Sequence, residues 1–173
     1  MQVANTDAAT VNFFVDWLYT RQLPKHLNDW RGIQKLNDAT PGQERLGMIK
    51  ALAFANRIMA PGFQRAINAA IVDCHIPIQT PYYEAVIFAF ANLPPNDPIL
   101  TLLVELQYRG YTQDSDTHEN GEIERQALLP HEFLLRVMLR LGKSVGNRGI
   151  IPLSACDYHG HATDEERMTC EHK

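Results

Sequence analysis

The stretch Thr10 to Pro24, TVNFFVDWLYTRQLP, decides how the chain is read, because it is the most hydrophobic and aromatic segment near either end and stops abruptly at a proline. Val11, Phe14, Val15 and Leu18 fall at i, i+3, i+4 and i+7, one apolar stripe of a helix, and Phe13 and Trp17 add a second stripe beside it. A helix apolar over so much of its circumference must be covered on two sides. Asp7 or Thr10 is placed to cap its start by accepting a hydrogen bond from a backbone N–H.

Downstream, Arg21 to Gly47 carries Pro24, Gly32, Pro41 and Gly42 among polar residues and reads as a long connection, with Trp30, Ile33 and Leu36 forming a short turn pinned to the core. In LGMIKALAFANRIM, Leu46 to Met59, the set Met48, Leu52, Ala55 and Met59 interlocks with Ile49, Ala53 and Phe54, so this helix is buried on most sides. Ala60-Pro61-Gly62 breaks it and starts another, whose Phe63, Ile67, Ala70, Ile71 and Cys74 make a single face. Two helices joined by so short a corner must pack together.

Thr80-Pro81 and Asp97-Pro98 each read as a cap followed by a first-turn proline, whose missing N–H would have had no helical partner. The helices they open bury Tyr82, Val86, Ala89, Phe90 and Leu93 in one case and Ile99, Leu102, Leu103 and Leu106 in the other, with Gly110 as the C′ residue of the second. Thr112 to Arg125 has five carboxylates and only Ile123 as a large apolar residue, and reads as a solvated loop. A last helix from Pro130 presents Leu134, Val137, Met138 and Leu141 before Gly142. The whole is an all-α domain of about six helices over 10–145, with a flexible start over 1–9 and a polar tail over 146–173; no internal period marks a solenoid.

The 173 residues suffice for one domain with a sizeable core, at 45% hydrophobic and 21% charged residues. A net charge of −4 and a pI near 5.9, without a basic run, argue against a nucleic-acid or membrane surface. The first ten residues lack the pattern of a secretory signal, and no apolar run approaches the ~20 residues that span a bilayer, so an intracellular place is expected, in cytoplasm or nucleus. Three cysteines without framework spacing predict reduced thiols, Cys74 serving as a small core hydrophobe.

FFVDWLYTRQLP, a polar insert and then IKALAFANRIMAPGFQRAINAAI resemble the second half of a BTB/POZ domain of the fungal type, over 10–76, with 80–145 similar to the helical extension of those proteins and CDYHGHATDEER to their tail. Phe14, Trp17, Leu18, Tyr19 and Thr20 match the family's aromatic helix, and Ala53, Ala55, Ile58, Phe63 and Ile67 match its helix pair. The resemblance implies a noncatalytic protein-interaction module that self-associates or recruits partners, a cullin-type scaffold in ubiquitin-ligase adaptors among them. It departs in two places. The family's N-terminal half has no counterpart before Val11, and Arg21 stands where the family has Gly. A non-Gly residue in left-handed geometry costs about 1 kcal/mol or more, so the helix is expected to exit differently.

Phe14, Trp17 and Tyr19 are candidate anchors for a protein partner, although their spacing suits a core equally well. The interaction reading expects either association or an exposed apolar patch over Val11 to Leu18. The tail holds Cys156, His159, His161, Cys170 and His172; the pairs Cys156/His159 and Cys170/His172 are ligand types that zinc prefers, which makes a small zinc-binding module the alternative reading. Against it, 162–169 is mostly charged, with only Met168 to support a compact site, and this favours a flexible tail and no metal or other cofactor. Ser154, Asp157 and His159 sit at no nucleophile elbow, and no catalytic residue is assigned. The acidic stretch Asp114 to Glu124 lacks the ligand periodicity of a calcium loop, and His75 and His131 lie near helix ends.

Overall fold

A computed structural model of the chain describes residues 8–24, 30, 41–77, 80–144 and 154–171. Among these the structure is all α: α1 Ala8–Thr20, α2 Pro41–Arg57, α3 Pro61–His75, α4 Tyr83–Asn92, α5 Pro98–Gly110, α6 Glu122–Arg125, α7 His131–Ser144 and α8 Asp164–Glu171, with 3-10 turns at Gln113–Ser115, Gln126–Leu128 and Ala155–Asp157. Six of these helices are the expected ones. The short α6 and α8 are additional, and no described helix is long and apolar enough to cross a membrane.

Helix α2 is the centre, packed against α1, α3 and α4. Met48, Ile49, Ala51, Leu52, Ala53, Phe54 and Ala55 are all buried, so no side of its middle faces water. The alanines keep α2 thin, and α4 answers with buried Ala85 and Ala89, which lets the two backbones approach closely. Helix α5 then packs on α3 and α4, and α7 on α5, where Phe133 meets Phe90 of α4 edge to face with ring centroids 5.5 Å apart.

Helix α1 closes one side. Phe13 and Trp17 are buried, and Phe13 lies 4.7 Å from the ring of Trp30, whose indole N–H donates to the Pro24 carbonyl at 3.0 Å. That bond pins the connection as expected, while Ile33, Leu36 and Asp7 lie outside the described residues. Thr10 is no cap: it is buried within the helix. Trp17 stacks toward Phe63 at 5.3 Å and covers Gly62, where a Cβ would come within 3.2 Å of the indole.

The exit of α1 corrects the sequence reading. Arg21 has φ 54°, left-handed after all, with its N–H bonded to the Trp17 carbonyl at 2.8 Å. Its guanidinium lies 4.6 Å from the centroid of the Trp17 ring, a cation–π contact of the size needed to offset the backbone strain. Met59 is a second such residue, with φ 52°. Its N–H bonds Asn56 O at 3.3 Å and the Ala60 N–H bonds Ala55 O at 3.1 Å, the paired bonds of a Schellman ending for α2.

The caps divide. Asp97 Oδ1 accepts from the Ile99 N–H at 3.0 Å, as read from Asp97-Pro98. Thr80 and Pro81, however, precede the helix: α4 begins at Tyr83, whose N–H is taken by Glu122 Oε2 at 2.7 Å. The acidic stretch is therefore folded back rather than simply solvated. Tyr83 Oη donates to Asp116 Oδ2 at 2.7 Å and accepts from Gln107 Nε2 at 3.1 Å, and burial raises the pKa of both Tyr83 and Glu122. Gly110 is the last residue of α5 and not its C′ residue, and Gly142 lies inside α7.

His75 ends α3 fully buried. Its Nδ1–H donates to the Ile71 carbonyl at 2.8 Å, and its Nε2 has no hydrogen-bond partner among the described residues. Burial, helped by the charge of Arg45, lowers its pKa from 6.5 to about 4.

Two outcomes follow from these local features. Met59→Gly removes the left-handed strain at a side chain that is 85% exposed and so loses little packing; it should stabilise the chain by about 1 kcal/mol and raise Tm by about 2–4 °C. A lower Tm would show that Met59 is unstrained. For His75, the unfolded state takes up a proton near pH 6.5 while the folded state resists until about 4. Stability is thus complete above 6.5 and lost as pH falls through this window, by roughly 2 kcal/mol at about pH 5. Urea unfolding of the wild type and of His75→Leu should show this loss in the former alone.

Candidate functional site

Of the stretch read as a flexible tail, the described residues 154–171 form a corner laid on α3. The turn Ala155–Asp157 buries Cys156, and Tyr158 inserts into the core, where burial raises the pKa of its hydroxyl. The Gly160 N–H donates to Asn68 Oδ1 on α3 at 2.9 Å. Thr163 Oγ1 then accepts from the Glu166 N–H at 3.2 Å, and Glu166 Oε2 accepts from the Ala162 N–H at 2.8 Å, which starts α8.

This corner gathers the sulfur and imidazole side chains. The ligand atoms of Cys156, His161 and Cys170 all lie within 4.8 Å of one another. Cys156 Sγ is 3.2 Å from His161 Nε2, and His159 Nδ1 is 3.2 Å from Cys170 Sγ. The other ring nitrogen of His159, Nε2, is buried, faces Asp73 Oδ1 of α3 at 3.5 Å and makes no hydrogen bond among the described residues. A cavity of about 730 Å³ opens over the cluster, with Arg65 and Asp73 on its α3 side. None of the three cysteines forms a disulfide among the described residues.

Of the sequence candidates, Cys156 and Cys170 come together with His161, and His159 joins at the edge through its 3.2 Å approach to Cys170, while His172 lies outside the described residues. No hydrogen bond among the described residues joins the side chains of Ser154, Asp157 and His159. Cys74 packs half-buried against the core, where desolvation raises its thiol pKa.

The second feature is the outer face of α1. Val11, Val15 and Leu18 are 39%, 39% and 43% exposed, and Tyr19 is 86% exposed. Of the three aromatic anchor candidates, Trp17 belongs to the core and Phe14 is half-buried against Phe54 and Phe63, at 5.8 and 5.2 Å; only Tyr19 faces outward. Helix α7 also leaves Leu134, Met138 and Leu141 exposed, and Leu134 and Leu141 line a cavity of about 430 Å³ against α5. Arg140 of α7 meets Glu105 at 2.5 Å and lies 4.4 Å from the Tyr108 ring, which fixes that pair of helices.

Comparison with protein-family models, curated proteins and solved structures gives no match.

Proposed function

We propose that the chain is a noncatalytic protein-interaction module that works through the outer stripe of α1. The observation that carries this reading is the exposure of Val11, Val15 and Leu18, three large aliphatic side chains at i, i+4 and i+7 on a helix whose opposite face is locked into the core. The BTB/POZ-like pattern of 10–76, a pattern of binding modules, supports it. The occupant is a second copy of this chain: a straight aliphatic stripe is self-complementary about a two-fold axis and pairs antiparallel with itself. A heterologous protein partner on the same stripe, a cullin-type scaffold being the one the BTB/POZ-like pattern implies, is the outcome the test separates from it.

Light scattering should give a mass that rises above the monomer with concentration, together with an unfolding midpoint that climbs with concentration. Val15→Lys and Leu18→Glu, each removing about 1–2 kcal/mol of apolar burial per copy and so about 2–4 kcal/mol per dimer, should weaken association by roughly 30- to 1000-fold. A monomer whose stripe binds an apolar dye, with binding lost in those variants, would point to the heterologous occupant. A monomer of constant midpoint that binds no dye would sink the module reading.

A further inference from the structure

The geometry points to a structural zinc site formed by Cys156, His159, His161 and Cys170, a site separate from the α1 stripe. Zinc bound by two sulfurs and two nitrogens, at about 2.3 and 2.0–2.1 Å, places its ligand atoms about 3.3–3.8 Å apart. For Cys156, His161 and Cys170 the 3.2 Å Cys156–His161 separation and the 4.8 Å limit on the group bracket that range, and His159, which lies outside that limit, reaches the group through Cys170 Sγ at 3.2 Å. Closing it as a four-ligand site requires His159 Nδ1 to turn from Cys170 toward the other two ligands.

Three further observations favour a metal over an accidental cluster. His159 presents Nδ1 to the cluster while its buried Nε2 faces the Asp73 carboxylate, the arrangement in which a carboxylate orients a metal-bound imidazole. The four residues are held by separate supports: Tyr158 in the core, Asn68 on the Gly160 N–H, and the capped start of α8. Finally, α8 has eight residues, and every one from Asp164 to Thr169 is exposed, so neither burial nor intrinsic propensity holds it in place. Its one inward ligand, Cys170, is what a metal would fasten.

Four protein ligands leave no open position, so the ion is structural and ties the C-terminal segment to α3. On binding, the two thiols release their protons to solvent and the two imidazoles coordinate in their neutral form. The spacing is Cys156-x2-His159-x-His161-x8-Cys170, which replaces His172 of the sequence reading with His161.

The test uses the full chain, purified under reducing conditions without chelator. Elemental analysis should find about one zinc per chain. Cobalt(II) added to chelator-stripped chain should give the intense visible bands of a tetrahedral thiolate site. Zinc at about 100 times its Kd should raise Tm by about 5–10 °C over the stripped chain. Cys156→Ser and Cys170→Ser should each abolish the cobalt bands, His159→Ala and His161→Ala should weaken cobalt binding at least tenfold, and His172→Ala should leave it unchanged. Zinc uptake by the wild type does not depend on any variant folding. Reduced wild-type chain that takes up no zinc or cobalt, a Cys156–Cys170 disulfide that forms in its place, an octahedral cobalt spectrum, or binding lost in His172→Ala would each overturn the site. Self-association through α1 is read separately, by mass, and stands or falls without the metal.

Discussion

The burial of α2 on every side of its middle is the constraint from which the rest of the fold follows. An isolated helix of its 17 residues would be marginal in water, so its stability must come from neighbours. Met48, Ile49 and Leu52, each fully buried, contribute roughly 1.5–3 kcal/mol apiece only if α1, α3 and α4 are all in place. That requirement makes these four helices one cooperative unit. Ala51, Ala53 and Ala55 make it geometrically possible, since larger side chains at those positions would force the neighbours apart.

Helix α1 stands in a different position. It supplies one face to this unit and leaves the other in water, although both faces carry large apolar residues. Its inward face is made by Phe13 against Trp30, Trp17 against Phe63 of α3 and Phe14 against Phe54 of α2. The aliphatic character of Val11, Val15 and Leu18 is therefore surplus to the fold, and this is the physical content of reading the stripe as a binding surface.

What the sequence made legible was whatever obeys a local period. Six helices, the corner at Pro61 and the Asp97 cap are all written within a few residues of where they act. What it concealed acts at a distance or through a single side chain. Glu122 caps α4 from 39 residues away, so no local pattern at Thr80-Pro81 could reveal that the cap comes from elsewhere. Arg21 is tolerated in left-handed geometry because of an aromatic ring one turn back, which a glycine rule does not include. Helix α8 has a local signal, since Thr163 to Glu166 spells a capping box, but the charged residues after it read as solvated chain. In the sulfur–imidazole corner, residue types alone suggest the pairs Cys156/His159 and Cys170/His172; which histidines come near the cysteines depends on the turn at Gly160, whose N–H is held by Asn68 on another helix.

Helix α3 connects the two surfaces and also separates them. Its start, Gly62 and Phe63, receives Trp17 of α1, whereas Asn68 and Asp73 receive the C-terminal corner. At 1.5 Å of rise per residue these stations lie roughly 8–15 Å apart along the helix. Side chains that far apart with no shared partner usually contribute additively. Ordering of the corner therefore stabilises α3 and the core around Tyr158 without altering how α1 presents its stripe. The chain thus pairs a rigid scaffold, closed at its C-terminal end by a sulfur–imidazole corner, with one helix face that the scaffold holds in water.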